Sequence, residues 1–449
     1  MTAGEPYLVV STDAHAGPAP EQHLRSYCPE KHLDAFDEFC RQARHNANQK
    51  IPWIDEHRAG DMPNPTLGDL GREACMRCVE CEGHHDPHVR LGHMDDEGIA
   101  AEVIFAGGQN FEQLPFLGKG WTAGNTEYDE ELRAVAIQIW NRWIADYISV
   151  DTARLVGVLQ IPIWDVEAAV REVRWGVERG ARVVNLPAPR LDFPSYANPM
   201  YEPLWSVCEE AGVALVTHSG GGEDPLGAND FRGDFIMIAE HQWLSSRGLT
   251  QLTFGGVFHR HPQLKLVLTE QRVEFAPYFL RHLDSVYEGG MRVDRVAPAG
   301  GIVAWAPLEY GPNQIASDPS DPNALPKRPS EYWASNCYLS GSFLAPFEVA
   351  MRHEVGVGNL MWGSDYPHQE GTWPYSRQAI RNTFWDVPEA EARLILGETA
   401  IDVYGLDRDA LAPVARRIGM TTDEVATPLE PEEYPMGRGG AFREWGACA

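Results

Sequence analysis

At 449 residues, with 43% hydrophobic and 23% charged residues and 14 Trp, the chain has the composition of a folded protein with a large core, which argues against disorder outside its ends. Its 37 basic and 65 acidic residues give a formal charge of -28, which excludes a nucleic-acid partner because phosphate binding needs a basic face. The N-terminus MTAGEPYLVVSTDAH has neither a basic n-region nor an apolar h-region, and no run of about 18 apolar residues occurs, so a cytoplasmic protein without a membrane segment is expected.

The first apolar run, YLVVST from Tyr7, leads into Asp13-Ala14-His15, a D-x-H whose two side chains share one face of a strand because the period is two. A long insertion follows, from about residue 16 to 90. Within it CMRCVECEGHH, from Cys75 to His85, spaces Cys75, Cys78 and Cys81 by three along one helical stripe, with His84 three residues on. Three thiolates and an imidazole suit a tetrahedral zinc ion, but structural sites usually gather two separated pairs of ligands, so thiols packed beside an active-site mouth are the favoured expectation. The eight cysteines, several isolated in apolar contexts such as Cys208 and Cys337, are expected to be reduced thiols.

Seven further apolar runs follow: AEVIFA from Ala101, RLVGVLQIP from Arg154, ARVVNLPA from Ala181, VALVTHSG from Val213, LKLVLTE from Leu264, NCYLSG from Asn336 and NLMWGSD from Asn359. Near-continuous apolar runs suit parallel strands buried on both faces. Between them lie amphipathic segments such as TEYDEELRAVAIQIWNRWIADYI, VEAAVREVRWGVERG and EPLWSVCEEAG, several ending at a capping glycine. This alternation predicts an α/β fold, a (β/α)8 TIM barrel with long loop insertions and a C-terminal extension, with a doubly wound open sheet as the alternative. The barrel is expected over residues 1–406, with insertions at about 16–90 and 289–332, and the extension over 407–449.

Functional groups of a barrel belong at the C-terminal strand ends. The fifth run ends at His218, the sixth at Glu270 and the eighth at Asp365. Asp13, His15, His218 and Asp365 together make a mixed oxygen and nitrogen shell for one divalent cation.

The D-x-H, the turn after His218, the stretch GGVFHRHPQLKLVLTE, the motif WGSDYPH, and HDPHVRLGHMDDEGIAAEVIFA before the second run resemble the amidohydrolase-related branch of the amidohydrolase superfamily. That branch includes metal-dependent decarboxylases of aminocarboxymuconate semialdehyde and resorcylate type, and hydrolases and hydratases of ring-derived compounds. The resemblance covers most of the chain from Tyr7 to about Leu406 outside the two insertions. It implies Asp13, His15, His218 and Asp365 as ligands of one divalent metal ion, with zinc foremost and manganese, iron or cobalt as alternatives. It also implies a homodimer. Two departures stand out: Asp13 replaces the His or Glu of better-known decarboxylases, and Glu270 replaces a catalytic His after the sixth strand.

The leading expectation is a hydrolase acting on a small, cyclic or aromatic-derived substrate through metal-activated water. Asp365 orients the nucleophile and accepts its proton, Glu270 protonates the leaving group, and His218 faces the developing oxyanion. His368, Arg272 and His88 are candidate substrate contacts. A non-oxidative decarboxylase, or another carbon-carbon lyase on the same metal, is the alternative. A catalytically silent ligand-binding barrel is the third reading.

Overall fold

The computed structural model describes residues 5–47, 73–117, 128–190, 193–219, 233–290 and 325–435. Eight strands, β1 (Val9–Ala16), β2 (Ile99–Ala106), β3 (Leu155–Leu159), β4 (Val183–Asn185), β5 (Ala214–His218), β6 (Leu266–Thr269), β7 (Cys337–Ser342) and β8 (Leu360–Gly363), lie in chain order in one sheet. Every laddered pair is parallel. This is the (β/α)8 barrel expected from the alternation, and each of the eight apolar runs supplies a strand. An open doubly wound sheet would not keep its strands in sequence order.

Both strand faces are buried, in separate layers. Val10, Val103, Val158, Val183, Val216, Val267 and Met361 meet inside the barrel. Val9, Ile104, Leu159, Leu215, Leu266 and Leu360 join a second cluster with residues of the surrounding helices, among them Trp140, Val173 and Leu204. Local chemistry sets the helix limits. Asp165 caps Val166–Val177 by accepting from the Ala168 amide at 3.0 Å, and Gly212, at φ 65°, ends Glu202–Ala211 in the left-handed conformation that glycine adopts at little cost. Helix Arg408–Ile418 adds Leu411 and Ala415 to the interior cluster alongside Leu8 and Val10.

Two irregularities place the functional groups. Ser11 of β1 pairs with Glu102 of β2 and Ala14 with Ile104, so between these pairs β1 holds one residue more than β2, after an opposite shift between Val9 and Val10. Such a bulge bends the strand and re-aims its side chains. Val10 and Thr12 face inward below it, and Asp13 and His15 face the barrel's centre above it. The second irregularity is the closure from β8 to β1. It runs through residues just past β8: the Asp365 amide donates to the Asp13 carbonyl at 2.9 Å, the His15 amide to the Tyr366 carbonyl at 2.5 Å, and the Ser364 amide to Ser11 Oγ at 2.9 Å.

Of the first insertion, residues 16–47 and 73–90 are described; most of the second lies outside the described residues. Among the described residues, seven cysteines are buried free thiols, and no helix is long and apolar enough to cross a membrane.

Candidate functional site

The strand ends of β1, β5 and the loop after β8 converge on one buried cluster. His15 Nε2 lies 3.3 Å from Asp13 Oδ1 and 3.3 Å from Asp365 Oδ1, and His218 Nε2 lies 3.4 Å from Asp13 Oδ1. Asp13, His15 and Asp365 are wholly inaccessible to solvent. The Phe105 ring packs beneath, 4.9 Å from the His218 ring and 6.0 Å from that of His15. All four residues expected as metal ligands are thereby brought together.

The backbone fixes which ring nitrogen each imidazole offers. Nδ1 of His218 lies 2.7 Å from the Ser219 carbonyl and Nδ1 of His15 lies 3.4 Å from that of Ala106, while Nε2 of His368 lies 3.0 Å from that of Gly107. A carbonyl only accepts, so each of these nitrogens is the N–H donor, and the opposite nitrogen turns its lone pair toward the carboxylates. Lone pairs facing carboxylate oxygens at 3.3 Å repel unless a proton or cation lies between. Asp13 Oδ1 and both oxygens of Asp365 are buried without a hydrogen bond, while Asp13 Oδ2 accepts from Ser342 Oγ. This donor set fits a divalent cation.

The electrostatics agree. Burial opposes charge on His15, but contacts with Asp13 and Asp365 outweigh it and lift the imidazole to about 9. Burial likewise opposes charge on Asp13 and Asp365, yet His218 and His15 for the first, and His368 and His15 for the second, hold both carboxyls below the usual range. The cluster demands positive charge.

A tight turn carries His368 back over the site: its amide donates to the Asp365 carbonyl at 2.9 Å, its Nδ1 lies 2.8 Å from Asp365 Oδ1, and its ring stacks on His15 at 3.9 Å. Glu270, just past β6, places Oε2 3.4 Å from His218 Nδ1. Glu270 and Asp365 both have φ of 56°, a left-handed conformation costing about 1–3 kcal/mol in a non-glycine residue. Strain of that kind persists where surrounding contacts over-determine the backbone.

The other two expected substrate contacts are Arg272 and His88. Arg272 pairs with Glu274 at 3.1 Å and Glu348 at 3.2 Å, beside the Phe347 ring. His88 is exposed, in the first turn of helix Pro87–Glu97.

Glu370 joins the site without any signal in the sequence. One oxygen of each of Glu270, Asp365 and Glu370 lies within 4.8 Å of the others. Burial raises the Glu370 carboxyl, and the Asp365 charge adds to the effect. It follows Asp365 by five residues in an irregular turn, so no periodicity marks it.

The thiol stripe lines the wall of this mouth. Cys75 donates to Gln369 Oε1, Cys78 Sγ lies 3.3 Å from the Gly108 carbonyl, and Cys81 Sγ lies 2.9 Å from Tyr366 Oη. His84 donates from Nε2 to the Cys78 carbonyl at 2.9 Å, and burial pushes its imidazole down to about 3. Among the described residues, none of the candidate metal-holding groups includes a cysteine.

Comparison with known proteins finds that the amidohydrolase family model matches residues 86–406. No curated protein matches. Among solved structures, 5-carboxyvanillate decarboxylase from Sphingomonas paucimobilis is 17% identical with a TM-score of 0.57, over 89% of this chain and 100% of that one. An amidohydrolase from Mycobacterium avium subsp. paratuberculosis K-10 is 17% identical with a TM-score of 0.58, over 89% and 99%. Dihydroxybenzoic acid decarboxylase from Polaromonas sp. JS666, with bound manganese and the inhibitor 2-nitroresorcinol, is 17% identical with a TM-score of 0.53, over 90% and 99%. At this identity the likeness is one of fold.

Proposed function

The chain belongs to the amidohydrolase family, and from that membership we propose that it is a divalent-cation-dependent lyase that removes the carboxyl group of a small ring-bearing acid without oxidation. The observation that carries the proposal is the buried convergence of Asp13, His15 and His218, which each offer one ligand atom within 4.8 Å of the others, with Asp365 joined to them through His15 Nε2 at 3.3 Å. A divalent cation held there supplies Lewis acidity toward a carboxylate and an adjacent oxygen. Manganese, present in three structures of similar fold, is as compatible with this shell as zinc.

The protein's own groups do the rest. His368 Nδ1 lies 2.8 Å from Asp365 Oδ1, so a proton taken up on that nitrogen would be held by the carboxylate at the edge of the cluster, and that proton is the one delivered to the ring carbon. The carbonyls of Ser219, Ala106 and Gly107 hold the three imidazoles in fixed tautomers. Phe105 supplies an apolar floor. Decarboxylation is preferred to hydrolysis for two reasons. Two of the three structures cited are decarboxylases, and Glu270, the expected leaving-group acid, faces His218 Nδ1 at 3.4 Å.

The test is to supply ring-bearing carboxylic acids, and cyclic amides and esters, in ¹⁸O-labelled water and separately in D₂O. The expected outcome is carbon dioxide release with one deuterium on the ring in D₂O and no ¹⁸O in the organic product; ¹⁸O in that product overturns the reading in favour of hydrolysis. Asp365→Asn should lower turnover by about 10²–10⁴-fold, the usual contribution of a positioned proton donor.

A further inference from the structure

We propose that Glu270, Asp365 and Glu370 form a second cation site beside the first, taking a hard, oxygen-preferring divalent ion, with Asp365 shared between the two. The inference rests on the metal-dependent reading above and extends it to this cluster. One oxygen from each residue lies within 4.8 Å of the others, a spread that donors about 2.0–2.6 Å from a common ion can span. The set is all oxygen, unlike the nitrogen-bearing set of Asp13, His15 and His218, which is why it would select magnesium, calcium or manganese over zinc.

The unused donor atoms point the same way. Asp365 is 0% exposed; its Oδ1 faces His15 and His368, and its buried Oδ2 has no hydrogen bond. Glu370 accepts from Gln109 Nε2 at 2.6 Å through Oε1, while its buried Oε2 has no hydrogen bond. Arg272, two residues from Glu270, is held by Glu274 and Glu348, and among the described residues no lysine or arginine pairs with Asp13, Asp365 or Glu370.

Paired metals about 3.5–4 Å apart are commonly bridged by a shared ligand, here Asp365.

The experiment uses the full chain, stripped with a chelator and titrated with Mn²⁺, with bound metal measured by equilibrium dialysis and by electron paramagnetic resonance. Two equivalents and a spin-coupled signal are expected. Glu370→Gln should keep one equivalent, with an uncoupled six-line signal and an unchanged circular dichroism spectrum. A single equivalent, lost in His218→Ala but retained in Glu370→Gln, overturns the second site while leaving the first standing. Two coupled equivalents that survive Glu370→Gln also overturn it. No bound Mn²⁺ at all removes both the second site and the metal-dependent function it rests on.

Discussion

Arg90 stands behind the site rather than in it. Its Nη1 reaches Glu102 Oε2 at 3.0 Å, its Nε reaches Tyr147 Oη at 2.8 Å and the Gly83 carbonyl at 3.2 Å, and its Nη2 donates to the carbonyl of His15. Both members of the Arg90–Glu102 pair are buried, at 0% and 1% exposure. Removing one partner of such a pair strands the other charge in the interior, so Arg90→Met should cost about 3–5 kcal/mol in denaturant unfolding. Arg90→Met combined with Glu102→Leu should recover most of that loss, because no uncompensated charge remains. A double variant no more stable than the single one would mean that the contacts to Tyr147 and the His15 carbonyl dominate. At this scale the sequence is half transparent. Asp13, His15, His218 and Asp365 can be read because each closes an apolar run at a strand end. Arg90 and Glu370 cannot, because their roles come from partners far away in the chain; in HVRLGHMDD, Arg90 looks like any solvated helix residue.

The bulge in β1 depends on a neighbour in β8. A Cβ built on Gly363 would stand 2.7 Å from Cβ of Asp13, a separation that real side chains essentially never reach. Gly363→Ala should therefore push the bulged segment away, weakening metal binding by about tenfold or more while costing only about 1–3 kcal/mol of stability, as overpacking does. Metal affinity by dialysis and unfolding by circular dichroism separate the two effects; unchanged affinity would show that the bulge accommodates the methyl group. All eight strands are legible in the sequence because parallel strands leave unbroken apolar runs. The bulge is not, since one extra residue in VVSTDAHA alters neither hydrophobicity nor length in any recognisable way. The left-handed turns at Glu270 and Asp365 are hidden for a related reason: neither position carries the glycine that normally marks such a conformation.

Across the whole molecule, the candidate ligands and the closure of the barrel involve the same residues. Asp13, His15 and Asp365 supply main-chain hydrogen bonds between the end of β1 and the loop after β8, and their side chains meet at the centre. A cation bound there would tie the first and last strands to β5, so chelation should lower the unfolding temperature as well as activity. Saturation at about a hundred times the dissociation constant contributes about 2.7 kcal/mol by mass action. Differential scanning calorimetry with and without chelator checks this; an unchanged transition would place the cation's binding energy outside the closure. The strand order is legible because alternation forces it. The regular spacing of Cys75, Cys78 and Cys81 is legible too, but their partners Gln369, Gly108 and Tyr366 are not, since these sit in other loops far along the chain. A barrel avoids sticky margins only while its ring is shut. Here the ring is fastened by the residues proposed to do the chemistry, so loosening that clasp would turn two apolar strands, VVSTDAHA and LMWG, into open borders able to pair with another copy of the chain.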